Sequence, residues 1–394
     1  MVGGKLRSWG WLFTLSAASA LRGIRDNLRV TVWQPFALSL GLDMQAIGGL
    51  ESLSDLAKLI VEPAFGVVSD AMGRKHLLVL REVLTLTALV LMLLANNWFY
   101  LFATMLLIGV TNGLYSVWST VIAESAEPSH LGYVYSVVGA CYTGIGIIGT
   151  LGAGYLADAF GYNIVYGLAV VFAFASLAVI WLRLPETRRG ETTKVDWGRT
   201  LSSTVRALNP PKELRGFYIA MGLDSIAFGV GMRLLSGMLN AGYGFTPWMI
   251  GVYTTAMTLT MAVGQVPLGR LADRFGYGRF MAISQFMACA MLGMMIISKS
   301  YVIVIVANLI HGIANAFWAP SEQAWIAANA NTKQMAQALG SFSTFRGLMG
   351  LPAPIIGGIL FDVYGLDVPI MLNLILVFVD GVVILAWVKG RQHK

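Results

Sequence analysis

The chain has 394 residues, of which 57% are hydrophobic and 12% charged, and its mean hydropathy is +0.70. Soluble domains carry about 25% charged residues, and disordered chains are poor in apolar ones, so both classes are excluded. The formal charge is +7, and the two cysteines, Cys141 and Cys289, sit in apolar runs that suit neither a disulfide framework nor a thiolate metal site.

A bilayer core of about 30 Å takes roughly 20 apolar residues per crossing helix. Twelve such runs are predicted, at 9–40, 46–69, 77–95, 98–122, 133–156, 163–184, 217–240, 248–270, 280–298, 301–325, 336–360 and 368–388. The start resembles a cleavable leader, with Lys5 and Arg7 ahead of Trp9–Leu15 and Ala18-Ser19-Ala20. Its removal would leave eleven helices and spoil the internal repeat, so it is read as part of the first span. Twenty of the 27 Lys and Arg residues, Arg81 among them, fall on one side of the predicted membrane, and Lys299 alone on the other. The orientation rule then puts both termini in the cytoplasm. That rule also accounts for the net charge, so no nucleic-acid partner is expected. The longest polar stretch separates an N-terminal six-helix bundle (1–184) from a C-terminal one (217–394), with a cytoplasmic linker at 185–216. Short loops point to a prokaryotic inner (plasma) membrane, and a monomer is expected.

The sequence repeats itself. Gly66-x-x-x-Asp70-x-x-Gly73 recurs as Gly269-x-x-x-Asp273-x-x-Gly276 at an offset of 203. Gly48 and Gly251, Gly109 and Gly312, and Asn112 and Asn315 share that offset, and Asp158/Gly161 match Asp362/Gly365 at 204. A constant offset across several predicted helices indicates two six-helix halves, and two parallel repeats with a site near the bilayer midplane are a transporter architecture.

The segment Gly66-Val-Val-Ser-Asp70-Ala-Met-Gly73-Arg74-Lys75 resembles the loop 2–3 signature of the major facilitator superfamily, and Gly269 to Gly276 is a second copy. The resemblance covers essentially the whole chain. It implies an all-α polytopic membrane protein of twelve transmembrane helices in two pseudo-symmetric bundles (6+6). It also implies that Gly66, Asp70, Gly73, Arg74, Lys75, Gly269, Asp273 and Gly276 form a conformational latch, against the plainer reading of a structural loop. Proton-coupled efflux members resemble the chain only in part. Gly149-Thr-Leu-Gly152-Ala-Gly154 keeps the glycines of their fifth-helix pattern without its proline, Ala353-Pro354-Ile-Ile-Gly357-Gly358 stands in the other half, and 98–122 lacks their usual arginine.

Charge within the predicted spans is the most informative feature. Arg22, Arg25, Asp26 and Arg29 lie on one face of the first span, and Glu51, Asp55, Lys58 and Glu62 on one face of the second. Each would cost roughly 2.5–3.5 kcal/mol at mid-membrane on insertion scales, so they must pair or face water. If the two helices are antiparallel neighbours, the pairs are Arg29–Asp55, Asp26–Lys58 and Arg25–Glu62. One reading is a structural ion-pair cluster. In the other, Asp26, Asp55 or Glu62 alternates between an arginine and a proton. The second half has isolated charges, Asp224, Arg233, Glu322, Arg346 and Asp380; Arg346 is expected to face a cavity, Asp380 to be structural. Asn112, Trp118, Tyr142, Arg233, His311, Asn315, Trp318 and Arg346 are candidates for lining a substrate cavity.

No phosphate-binding Gly-x-x-x-x-Gly-Lys, Gly-x-Ser-x-Gly or His-Glu-x-x-His pattern occurs, so no enzyme activity, cofactor or metal is expected. The expected function is alternating-access transport, with proton-coupled export of small amphipathic or drug-like compounds ahead of symport or exchange of an organic anion on the arginines. Lipid or lysolipid movement is a third reading. The partners are then a small molecule, protons and the lipid bilayer.

Overall fold

The computed structural model describes residues 2–125, 130–186, 214–329 and 335–388, so most of the predicted linker (187–213) lies outside the described residues. The described chain is helical: α1 (Val2–Ser39), α2 (Met44–Met72), α3 (Arg74–Leu93), α4 (Trp98–Gly113), α5 (Tyr115–Ser125), α6 (Leu131–Phe160) and α7 (Tyr162–Arg183). Next come α8 (Arg215–Ala227), a π-helical turn (Phe228–Met232), α9 (Leu235–Tyr243), α10 (Pro247–Phe275) and α11 (Tyr277–Ile297). The chain continues through α12 (Tyr301–Asn329), α13 (Met335–Gly350), α14 (Ala353–Tyr364) and α15 (Asp367–Trp387).

Nine segments among the described residues are long and apolar enough to cross a membrane. The long helices outside that set are α1, α2 and α10. The first two are interrupted by the charges noted above. Large apolar side chains stand exposed along the helices, such as Leu182 at 78% and Ile297 at 86%. A surface of this kind is stable against acyl chains and not against water.

The turns show why the offset repeats. Among the described residues six glycines have positive φ, and they form three pairs: Gly41 and Gly244, Gly73 and Gly276, Gly161 and Gly365, at offsets of 203, 203 and 204. Each closes a tight helix-to-helix turn in a backbone region that a Cβ disfavours. Asp158 and Asp362 also play equal parts. Asp158 accepts from Trp248 N at 3.1 Å, and Asp362 from Gln45 N at 2.7 Å and Met44 N at 3.2 Å. Each carboxylate therefore caps the start of a long helix, where free N–H groups favour negative charge.

The chain divides into two compact units. One comprises Met1–Gly41, Leu53–Thr200 and Thr246–Gly251, the other Leu42–Ser52, Leu201–Phe245 and Val252–Lys394. In the first unit α1 runs unbroken through Ala18 and Ser19, both buried, and packs along α6 and α7. Small residues permit the approach: a Cβ on Gly23 would strike the Tyr142 backbone, and one on Gly149 would lie 2.5 Å from Ile24 O. Gly23→Ala should therefore force α1 from α6 and cost about 1–3 kcal/mol, as overpacking does. An unchanged thermal unfolding midpoint in detergent would contradict that. The core of this unit gathers Leu15, Leu77, Trp118, Val121 and Ile180. The second unit has its own core, in which Phe217 stacks on Trp325 at 4.2 Å and packs against Met221, Met281 and Phe342.

Candidate functional site

Each unit encloses a buried charged cluster. In the first, Arg22 and Arg25 stand one turn apart on α1, facing Arg81 and Glu82 on α3. Arg22, Arg25 and Glu82 are exposed by only 2%, 1% and 1%. Glu82 is the hub. It lies 3.5 Å from Arg22 Nε and 3.1 Å from Arg81 Nη1, pairs with Arg25 Nη1, and accepts from Ser176 Oγ at 3.0 Å. Arg25 Nε also donates to Asp26 Oδ1 at 2.9 Å, while the Tyr142 hydroxyl donates to Asp26 Oδ2 at 3.1 Å. Arg22 lies over the Trp118 ring at 4.4 Å, and Arg81 Nε donates to Thr111 O at 3.0 Å. Three guanidinium groups thus meet two carboxylates.

This corrects the expected pairing. Arg25 takes Asp26 and Glu82 instead of Glu62, and Asp26 takes Arg25 instead of Lys58. Among the described residues Arg29, Lys58 and Glu62 form no ion pair. The expectation assumed that consecutive helices pack on each other, whereas α1 packs along α6 and α7 and offers its charges to α3. Arg81, counted above with the loop charges, is 5% exposed inside α3. Glu82 was missed by residue type and spacing. Its signal lay in the repeat, since Glu82 matches Gln285 at 203 and Ser176 matches Asp380 at 204, polar in both copies.

The cluster of the second unit has the opposite balance and draws its charges from other positions. Arg346 on α13 donates to Asp224 Oδ2 at 2.7 Å, Glu322 Oε1 at 2.5 Å and Ser225 Oγ at 3.1 Å. Gln285 on α11 donates to Asp224 Oδ1 at 3.1 Å and Asp380 Oδ2 at 2.6 Å. Trp318 Nε1 holds the other oxygen of Glu322 at 3.0 Å. Charges that are isolated in the sequence are therefore gathered in space, three carboxylates around one guanidinium. Asp380, expected to be structural, is fully buried at the inner face of α15. The backbone contacts repeat as well: Ser284 donates to Ala314 O at 2.8 Å, as Arg81 does to Thr111 O at the corresponding position.

Of the other candidates, Glu51 pairs with Arg233 at 2.8 Å within the second unit, next to the π-helical turn. Asn112 is exposed. Asn315 donates to His311 O within its own helix at 3.0 Å, and His311 Nδ1 has no hydrogen-bond partner. In the segments expected to form a latch, Gly73 turns the chain at φ 93° and Gly276 at φ 100°. Arg74 Nη2 pairs with Glu124 at 3.3 Å, and the backbone N–H groups of Arg74 and Lys75 donate to Glu186 at 2.8 and 3.1 Å. Glu186 thereby caps α3. Gly269 lies on Pro320. Gly66 and the side chains of Asp70 and Asp273 lie outside the described residues. Among the described residues no group of His, Cys, Asp and Glu is disposed to hold a metal ion.

The family model of the Major Facilitator Superfamily matches residues 14–222 and again 217–394, one copy per repeat. The chain belongs to the major facilitator superfamily. It is an integral membrane transport protein and not an enzyme. Curated relatives include Multidrug resistance protein 1 of Bacillus subtilis (strain 168), 24% identical over 362 residues and covering 90% of each chain. Solute carrier family 22 member 18 of Rattus norvegicus is 25% identical over 381 residues, covering 90% of this chain and 88% of that one. Multidrug resistance protein MdtG of Yersinia enterocolitica is 23% identical over 325 residues, covering 80% and 76%. Among solved structures, the nucleoside transporter NupG superposes with a TM-score of 0.83 at 13% identity, covering 96% of this chain and 100% of that one. The human organic anion transporter MFSD10 (TETRAN) gives 0.70 at 16% identity, covering 96% and 99%. At these identities the structures speak for the fold alone.

Proposed function

We propose that this major facilitator protein exports small amphipathic compounds in exchange for protons by alternating access, as a monomer in a prokaryotic inner membrane with both termini cytoplasmic. The observation that carries the reading is Asp26. One of its oxygens is held by Arg25 and the other by the Tyr142 hydroxyl, and the side chain is 21% exposed while Arg25 is buried. A carboxylate left open on one side and held by an arginine on the other can trade that partner for a proton. The names of the bacterial relatives, both multidrug resistance proteins, point the same way. The Arg74–Glu124 pair and the Glu186 cap are the parts that a latch at the α2–α3 turn would break and remake.

The test is proton movement in proteoliposomes under an imposed pH gradient, with amphipathic compounds added one at a time. Wild type should dissipate the gradient when a substrate is present, and Asp26→Asn should lose at least about 90% of that response, a barrier change of about 1.4 kcal/mol. Coupling retained in Asp26→Asn would sink the assignment.

The excess of one guanidinium over the carboxylates in the first cluster favours a second reading, exchange of an organic anion. Arg22 bears on it directly. It lies between Glu82 and Trp118, so the anion reading requires that Arg22→Ala abolish transport of anions alone.

A further inference from the structure

The first cluster holds more positive charge than its carboxylates balance, and their oxygens are already committed. Glu82 takes Arg25 and Ser176 on one oxygen and Arg81 on the other. Asp26 takes Arg25 on one oxygen and the Tyr142 hydroxyl on the other. Three guanidinium groups carry roughly fifteen N–H donors against about eight lone-pair sites on two carboxylates. Arg22 is the group left short. Its Nε stands 3.5 Å from Glu82 without a hydrogen bond, and one face of its guanidinium lies on the Trp118 ring at 4.4 Å. Arg25 Nη2, one turn further along α1, is likewise buried without a hydrogen-bond partner. Both arginines reach Glu82, so these two orphan donors share one neighbourhood. Unmatched donors and excess charge are both strongly unfavourable when buried, and an arginine cannot shed its proton to escape.

The fold does not demand these charges. At an offset of 203 the second repeat has Ser225, Phe228, Gly229, Ser284 and Gln285 where the first has Arg22, Arg25, Asp26, Arg81 and Glu82. A neutral set thus serves the same positions in the other repeat. Guanidinium groups in excess, with donors to spare, are the chemistry that holds an anion. The depth of the donors limits its size: Arg22, Arg25 and Arg81 are all buried, which suits an ion of very few atoms.

We propose that Arg22 and Arg25 hold a chloride ion inside the first unit, as a resident counter-ion and not as cargo. Chloride brings the cluster to three cations against three anions and gives the orphan N–H groups an acceptor. The proposal goes beyond the export reading and does not depend on it. It assigns to a monatomic ion the positive excess that the organic-anion reading assigns to a substrate, so the two are set against each other.

Equilibrium dialysis of radiolabelled chloride against the full chain in phosphatidylcholine nanodiscs, corrected with empty nanodiscs and held at constant ionic strength with gluconate, tests this. Wild type should retain one chloride per chain, displaced by bromide and not by benzoate. Its thermal unfolding midpoint should rise as chloride replaces gluconate, because a ligand of the folded state stabilises it. Arg22→Gln should weaken chloride at least about tenfold, and its midpoint should no longer respond to chloride. Arg29→Gln removes an α1 arginine outside the ion pairs of the cluster and should bind chloride as wild type does. Absence of saturable chloride on wild type overturns the proposal without recourse to any variant, as does unchanged binding in Arg22→Gln. Displacement by benzoate as readily as by bromide would also overturn it, and would hand these arginines to the organic-anion reading. The measurement needs no proton gradient, so loss of coupled flux with chloride binding intact would bear on the export reading alone.

Discussion

Glu82→Gln is expected to be among the most damaging single substitutions in the chain, lowering the stability of the first unit by about 3–5 kcal/mol, the usual cost of breaking a buried ion pair. Glu82 is 1% exposed and touches Arg22, Arg25, Arg81 and the Ser176 hydroxyl. The amide keeps the shape of the carboxylate and removes its charge, which leaves three buried guanidinium groups with Asp26 as their one carboxylate neighbour. The reading is the thermal unfolding midpoint of purified protein, followed by tryptophan fluorescence, since Trp118 lies on Arg22. A neutralising second change tells charge from shape. Glu82→Gln combined with Arg25→Gln should recover part of the loss, because interacting neighbours are not additive. Additive losses in the double variant would show that Glu82 acts through packing.

Arg346→Ala should have a comparable effect in the second unit, about 3–5 kcal/mol, because it strips the sole guanidinium from Asp224 and Glu322. Arg346→Lys should restore only part of this. A lysine ammonium cannot reproduce the three directed contacts that Arg346 makes with Asp224, Glu322 and Ser225 from separate nitrogens. If Arg346→Ala expresses and melts like wild type, the cluster does not hold α8, α12 and α13 together.

These two substitutions differ in what the sequence showed of them. Arg346 stood out as a charge in an apolar run. Glu82 stood next to Arg81, which counts with the loop charges near the predicted end of a span. A charge near a predicted boundary has two meanings, and only the depth of its helix in the fold separates them. α3 begins at Arg74, earlier than the predicted 77, and carries Arg81 and Glu82 two turns into the helix. The same holds for Asp224, Glu322 and Asp380. The residues were visible, but their convergence was not, because they come from α8, α12 and α15 and no spacing rule links positions so far apart in the chain.

By itself, the sequence determined that this protein lies in a membrane, that it is built from two repeats and where their turns fall. Hydropathy and the recurrence of glycine at a constant offset are local properties, readable wherever the chain must cross lipid or adopt positive φ. It also marked the charged faces of α1 and α2. The partners of those faces were decided by tertiary structure alone. Gly23 and Gly149 let α1 lie against α6, so its arginines meet Glu82 on α3 instead of the acids on α2. A buried charge pairs with whatever opposite charge packing brings within reach, and packing follows the close approach of helix backbones instead of chain order.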